Sequence, residues 1–343
     1  AAYRGEGGER HGGFYTKDEV REVVRYAAER FVEVIPEIEM PGHALAALAA
    51  SPEFSCSGGP FEVETAWGIF DDVYCVGKDE TLHFLERVVD EVCELFPATY
   101  FHIGGDECPK VRWRSCPHCQ ERMRAEGLSD EHSLQSWFVG RMSRYLEQRG
   151  KRLVGWDEIL EGGLAPGATV MSWRGTEGGI RAAQMGHDVV MSPTSHCYLD
   201  YKQAPADEEP GAWFAPALEL STVYGYEPTP RELTPEQAHH VLGVQANVWT
   251  ERMPTAQHVE YMTYPRLCAL AEVAWGDAHR DEAEFLRRLE AHRRLLDHFE
   301  VAYRGSRRAA PRAPSAEEQA QYRRALAERA KGEATQAYSA APA

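Results

Sequence analysis

Short apolar runs and longer amphipathic stretches alternate along this chain. In "TKDEVREVVRYAAERF", Val20, Val23, Val24, Ala27 and Phe31 recur at helical spacing, and Thr16 with Glu19 has the form of a capping box. "VEVIPEIEMPG" then reads as a strand closed by a Pro-Gly turn. "DETLHFLERVVDEVCELF" repeats the helical period through Leu82, Leu85, Val88, Val89, Val92 and Leu95, and "ATYFHIGG" is the next expected strand. A helix over "EHSLQSWFVGRMSRYLEQRG", stopped at Gly150, leads into the strand "KRLVGW". "ATVMSW" and "HDVVMSP" are expected strands around a short helix in "EGGIRAAQMG". After a longer polar loop, "VLGVQANVW" reads as a strand and "AQHVEYMTYPRLCALAEVAWG" as a largely apolar helix.

This makes six expected strands, each short and apolar as a parallel strand buried on both faces should be. Their alternation with helices predicts an α/β fold with right-handed crossovers. Residues capable of chemistry cluster at the C-terminal ends of the strands: Glu39 and His43, Asp106 and Glu107, Trp156 and Asp157, Trp173, Tyr198 and Asp200, Trp249 and Glu251. In a (β/α)8 TIM-type barrel all such ends meet at one mouth. A doubly wound sheet would gather its site at one switch point, and no G-x-G-x-x-G follows the first strand. The barrel is the better reading, with its first one or two strands expected before residue 1. The expected organisation is a Gly-rich loop over 1–13, an incomplete barrel over 14–303, and an Ala/Arg/Glu/Pro-rich, partly disordered tail over 304–343.

Charge narrows the partners. A net charge of -17 over 343 residues leaves no basic stripe for nucleic acid and disfavours an anionic membrane surface, so a neutral or cationic small molecule or a sugar is the easier partner. No stretch approaches the ~20 apolar residues of a membrane span. The opening residues lack the apolar core of a signal peptide. Eight cysteines are too scattered for a disulfide scaffold. Cys56 and Cys75 bracket one Gly-rich loop and could be bridged; Cys108, Cys116 and Cys119 form a second group, for which one disulfide is weighed above zinc for want of a second CxxC. Disulfides would fit an exported protein better than a cytosolic one.

"FHIGGDE" carries the main candidates. Glycines 104 and 105 relax the backbone, so that Asp106 and Glu107 can serve one pocket from different angles. Two acids whose environments push their pKa values apart suit glycoside hydrolysis. An acid capping the next helix is an equal reading of these residues alone. Trp156, Trp173 and Trp249, each expected at a strand end, shift the balance, because flat aromatic walls stack on sugar faces. Trp67, Trp113, Trp137, Trp213 and Trp275 are read as core or loop packing.

"FHIGGDE", "VGWDEI", "SWRG", "CYLDY" and "VLGVQANVWTE", with "PEIEMPGH" and "EYMTYPRLCALAEVAW", resemble in order and spacing the catalytic domain of the β-N-acetylhexosaminidases, glycoside hydrolase family 20, from about residue 12 to about residue 303. The resemblance implies exo-acting removal of terminal N-acetylglucosamine or N-acetylgalactosamine, with retention, by substrate-assisted catalysis. In that scheme the substrate's acetamido oxygen attacks the anomeric carbon to give an oxazolinium. Glu107 would be the general acid and then the base, and Asp106 would orient the acetamido nitrogen. Tyr198 would bind the acetamido oxygen, while Trp156, Trp173 and Trp249 would wall the pocket. Asp200 and Glu251 would bind sugar hydroxyls, and His43 would line the site or support the acids. Partners would be N-acetylhexosamine-terminated oligosaccharides or glycoconjugates, with no cofactor and no metal at the site. The family's sugar-gripping arginine near the first barrel strand is missing here, and Tyr226 stands where relatives often carry a larger aromatic residue. Two alternatives stay open: a carbohydrate-binding or inactive relative, and a metal-dependent hydrolase using His102, Asp106 and Glu107.

Overall fold

The computed structural model describes residues 3–4, 10–11, 13–64, 68–205, 209, 216–276 and 279–306. Trp67, Trp213, most of the 1–13 loop and nearly all of the 304–343 tail lie outside them. The chain divides into two compact units, residues 1–172 with 178–189, and residues 173–177 with 190–343.

The first unit is built on parallel strands. β1 (Tyr100–His102) pairs with β2 (Arg152–Trp156), Phe101 opposite Leu153, and β2 pairs with β3 (Thr169–Ser172), Gly155 opposite Val170. The Val170 amide donates to the Asp188 carbonyl at 2.9 Å, just before β4 (Val189–Met191), through which the unit boundary runs. β3 is buried at every position and β2 at all but its first, as strands covered on both faces require.

The expected first strand forms only as a parallel bridge between Glu37 and His102. Ile38 and Met40 donate to the His102 and Ile103 carbonyls at 3.0 and 2.9 Å, and the Pro36 carbonyl accepts from His102 at 2.9 Å. Pro36 and Pro41 have no N–H to donate, which keeps this edge from extending into a full ladder.

The helices begin where their caps place them. α1 (Lys17–Ala28) carries the full Thr16–Glu19 capping box, yet none of its residues is buried. Val20, Val24 and Ala27 are half-buried, while Val23 and Tyr26 of the helix and the flanking Phe14, Tyr15, Phe31 and Val32 are all more than half exposed, so its amphipathic face is only partly covered. α2 (Asp79–Leu95) buries Leu82, Leu85 and Val89. α3 (Val111–Ser115) and α4 (Pro117–Glu126) follow β1, and Trp113 of α3 is fully buried, its indole N–H donating to the Tyr74 carbonyl at 3.0 Å. α5 (Glu131–Glu147) starts on an Asp130 cap, packs on β2 through Leu134, Phe138, Val139, Met142 and Leu146, and is followed by Gly150 at φ 69. α6 (Glu177–Gln184) buries Ala182 and Ala183.

In the second unit, the Gln245 amide just past β5 (Val241–Val244) donates to the Met191 carbonyl at 3.0 Å. Beyond β5, Tyr198 and Asn247 form a parallel bridge. Met253, Tyr261 and Met262 form a local core. α7 (Arg266–Trp275) packs on the short helix Leu220–Tyr224, and Tyr224 stacks on Phe285 of α8 (Glu282–His298) at 4.5 Å between ring centres. Trp275, expected to pack, is 91% exposed: it is the last residue of α7 and projects from the helix end. Among the described residues no helix is long and apolar enough to cross a membrane.

Candidate active site

Beyond β1 the chain stays tied on both flanks, with Ile103 donating to the Val154 carbonyl and Trp156 to the Gly104 carbonyl on the β2 side and Met40 donating to the Ile103 carbonyl on the other, each at 2.9 Å. The two glycines that follow are required by space as well as by backbone. Gly104 (φ 68) lies where a Cβ would stand 1.8 Å from Oε2 of Glu39, and at Gly105 (φ 92) a Cβ would meet Ile159 at 2.9 Å. They therefore admit a third acid and a sheet-covering isoleucine rather than merely loosening the turn. The Gly105 carbonyl accepts from the buried Gln135 side chain of α5 at 2.7 Å, which fixes the turn from behind.

Asp106 and Glu107 follow at once, with Glu107 itself in the left-handed region at φ 43. His43, also left-handed at φ 46, sets Nε2 3.3 Å from Oδ2 of Asp106 and 3.5 Å from Oε2 of Glu107. The motif "MPGH" makes this approach feasible, because a Cβ on Gly42 would touch the Asp106 carbonyl at 3.0 Å. Asp106 and Glu107 keep 16% and 18% of their side-chain surface open, enough for a substrate to reach both.

The hydrogen bonds from His43 to Asp106 and Glu107 hold its imidazolium, pushing it up to about 10 against the opposing effect of burial. Burial, with the charges of Asp106 and Glu37 nearby, pushes the Glu39 carboxyl up to about 10, so this third acid stays protonated at neutral pH. Two orphaned atoms stand out. Oε2 of Glu39 and Oδ1 of Asp106 are buried without a hydrogen-bond partner among the described residues.

Trp156 is buried beneath this group. Its indole N–H donates to Glu37 Oε1 at 2.8 Å, and its ring lies edge-on to His102, with centres 4.9 Å apart. His102 does not join the acid pair. Its Nδ1 accepts from the Gly104 amide at 3.0 Å, and burial pulls its pKa down, so the ring is neutral. The histidine that meets the acids is His43. His43, Asp106 and Glu107 offer ligand atoms within 4.8 Å of one another, and the imidazolium proton would have to leave before a cation could share them.

The second unit holds the other candidates. Trp173 stacks on Tyr198, with ring centres 6.3 Å apart and planes 28° apart, and the side chains of Trp249 and Asn247 face the Tyr198 hydroxyl. Trp249 is 39% exposed and lies beyond β5 rather than at its end, because the ladder gives way to the Tyr198–Asn247 bridge. Asp200 is buried, with Oδ1 unpartnered among the described residues. Burial and the charge of exposed Glu251 push Asp200 up to about 7, against the pull of Arg266. Tyr226 is buried and stacks on His196 at 4.6 Å.

Arg266, which sequence reasoning passed over, is fully buried. Its guanidinium donates to the carbonyls of Leu199 and Met262 at 2.6 Å, Tyr201 at 2.9 Å and Leu218 at 3.0 Å. It thus pins the loop that carries Tyr198 and Asp200. Its signal was available in "TYPRLCALAEV", where one arginine opens a largely apolar helix.

These arrangements can be set beside known proteins. The model of glycosyl hydrolase family 20, catalytic domain, matches residues 1–278. The chain belongs to that family. It is 54% identical over 287 residues to a beta-hexosaminidase of Porphyromonas gingivalis, covering 82% of this chain and 37% of that protein. It is 39% identical to a beta-hexosaminidase of Vibrio furnissii, covering 77% of this chain and 44% of that protein. The family-20 exo-β-N-acetylglucosaminidase of Vibrio harveyi, solved in complex with N-acetylglucosamine, superimposes with a TM-score of 0.77 at 35% identity, over 86% of this chain and 47% of that one. This family-20 chain therefore spans less than half the length of each of these relatives.

Proposed function

We propose that this chain carries the catalytic centre of a β-N-acetylhexosaminidase that removes terminal N-acetylhexosamine by substrate-assisted catalysis with retention. The observation that carries the reading is the unpartnered oxygen of Asp106. Oδ2 of Asp106 faces His43 while the buried Oδ1 has no partner among the described residues, so an acceptor stands ready beside Glu107 for the N–H of an acetamido group.

In this reading Glu107 gives its proton to the leaving glycosidic oxygen while the acetamido oxygen attacks the anomeric carbon. The C–O bond to the leaving group breaks and an oxazolinium forms, with Asp106 stabilising the positive charge on its nitrogen. The Glu107 carboxylate then takes a proton from water, which attacks the same face and opens the ring. Two displacements leave the configuration retained. His43 supplies one positive charge between the two adjacent acids, and protonated Glu39 adds no negative charge beside them.

By the family resemblance, Tyr198 would bind the acetamido oxygen, and Trp173 and Trp249 would wall the sugar. Asp200 and Glu251 accept from sugar hydroxyls, the open Oδ1 of Asp200 being suited to this. The parallel strands belong, on this reading, to a (β/α)8 barrel.

The test is release of N-acetylglucosamine from its β-linked disaccharide, whose sugar leaving group needs protonation, by the chain and by Glu107→Gln. Turnover that vanishes in the variant supports the reading. Sugar binding by isothermal titration without turnover in the folded wild-type chain would favour a carbohydrate-binding relative.

A further inference from the structure

The first unit holds a second chemical cluster that the acid pair does not use. The sequence reading grouped Cys56 with Cys75 and placed Cys108 with Cys116 and Cys119. The fold regroups them: Cys56, Cys75, Cys116 and Cys119 converge, with all four sulfurs within 4.8 Å of one another, and Cys108 is left out. The sulfur separations are 3.8 Å for Cys56–Cys119, 3.7 Å for Cys75–Cys119 and 3.6 Å for Cys75–Cys116. Cys75 and Cys119 each have two sulfur neighbours, so this is one tetrad and not two separate pairs.

We propose that Cys56, Cys75, Cys116 and Cys119 bind a structural zinc ion as a closed tetrathiolate site. A tetrahedron with zinc–sulfur bonds of ~2.3 Å has sulfur–sulfur edges of about 3.8 Å, the separation found here, whereas a disulfide needs its sulfurs at ~2.05 Å. Zinc entry displaces the thiol protons to solvent, and the four sulfurs fill the coordination sphere, so no position is left for water or substrate.

The surrounding backbone is shaped for such a site. Cys116 is the residue before α4 and Cys119 lies in its first turn, where the free amides and the helix dipole favour thiolate. The Gly77 amide is directed at the Cys75 sulfur, and a Cβ on Gly77 would stand 2.3 Å from the His118 carbonyl carbon, so the two cysteine-bearing turns touch through a glycine. Cys75, Cys116 and Cys119 are buried and Cys56 is partly so. The ion would tie the loop before α2 to the α3–α4 segment, whose first residue, Val111, lies four positions after Glu107.

The full chain, purified under reducing conditions and dialysed, should hold one zinc per chain by elemental analysis. Adding a chelator should open four further thiols to a disulfide reagent, those of Cys56, Cys75, Cys116 and Cys119. Cobalt(II) exchanged into the site should show the intense visible bands of a tetrahedral tetrathiolate. Cys56→Ser should lose the metal while Cys93→Ser and Cys108→Ser retain it, and Cys119→His should retain it because imidazole replaces one thiolate. If Cys56→Ser fails to fold, cobalt absorption of the wild-type chain still decides the matter. A folded chain free of metal, or peptide mapping without reductant that finds these cysteines in disulfides with no zinc bound, overturns the proposal. Zinc retained by Cys56→Ser but lost by Cys108→Ser overturns it equally.

Discussion

His43 and Glu107 both sit in left-handed backbone, at φ 46 and 43, and their side chains meet at 3.5 Å. Non-glycine residues rarely occupy this region, at a cost of roughly 1–2 kcal/mol each. Two such residues facing each other mark a place where the fold holds side chains against local preference. The sheet bonds around Ile103 and Gly104, and the packing of Gly42 on the Asp106 carbonyl, supply the restraint.

The two acids should fail differently. Glu107→Gln is expected to lower kcat by about 10²- to 10⁴-fold on substrates with poor leaving groups and far less on nitrophenyl glycosides in the glycosylation step. Asp106→Asn should lower turnover by about 10²- to 10³-fold even with good leaving groups, because it acts on the acetamido nitrogen. Steady-state kinetics on both substrate types separates them; equal losses for the two variants on both would sink the division of labour. A thiazoline analogue of N-acetylglucosamine should inhibit far more tightly than the sugar itself.

His43 should make stability depend on pH in the alkaline range. Its hydrogen bonds to the acids raise it from 6.5 to about 10, so its contribution is fully present below 6.5 and is lost as pH rises through about 10. Charged hydrogen bonds of this kind contribute about 2 kcal/mol. Urea midpoints of the wild type and His43→Gln should therefore differ most near neutral pH and converge in alkali. A constant offset across this range would assign His43 a packing role only.

Much of this was legible in the sequence, because it depends on local chemistry. The Thr16–Glu19 box, the stop at Gly150 and the short apolar runs of β1 to β3 each follow from neighbours a few residues apart, and the motif "FHIGGDE" put Asp106 and Glu107 together. What failed depends on distant partners. The periodicity of α1 predicts an apolar face but not what covers it. His102 sits two residues before the glycines, yet the acids are met by His43, brought from more than sixty residues upstream. The cysteine grouping followed chain proximity, while the fold pairs Cys56 with Cys119 across 63 positions. Glu39 was read as one strand-end acid among several, and nothing local reveals that Gly104 exists to make room for it.

Arg266 offers a sharp test of the second unit. Arg266→Met removes the donor to four buried carbonyls and should cost about 3 kcal/mol or more. Arg266→Lys should recover little, since one ammonium cannot reproduce the fork. In whatever folded fraction remains, KM should rise more than kcat falls, because the loop carrying Tyr198 and Asp200 loses its anchor. Thermal melts with parallel kinetics check both, and a lysine variant of wild-type stability would contradict the account.

Gly104→Ala should be among the most damaging single changes in the chain. It forces a Cβ into left-handed backbone at φ 68 and within 1.8 Å of a carboxyl oxygen. A loss of about 2 kcal/mol or more is expected from the backbone and the clash together. A Tm within a degree or two of the wild type would mean that Glu39 can swing aside.

The same contact has an evolutionary meaning. A side chain at position 104 meets the far end of Glu39 as well as the left-handed backbone, so a lineage that has already shortened Glu39 faces only the second of these costs. The order of mutation at the two positions therefore changes how much stability a descendant loses on the way. Libraries that diversify the strand end gain by varying position 39 together with it.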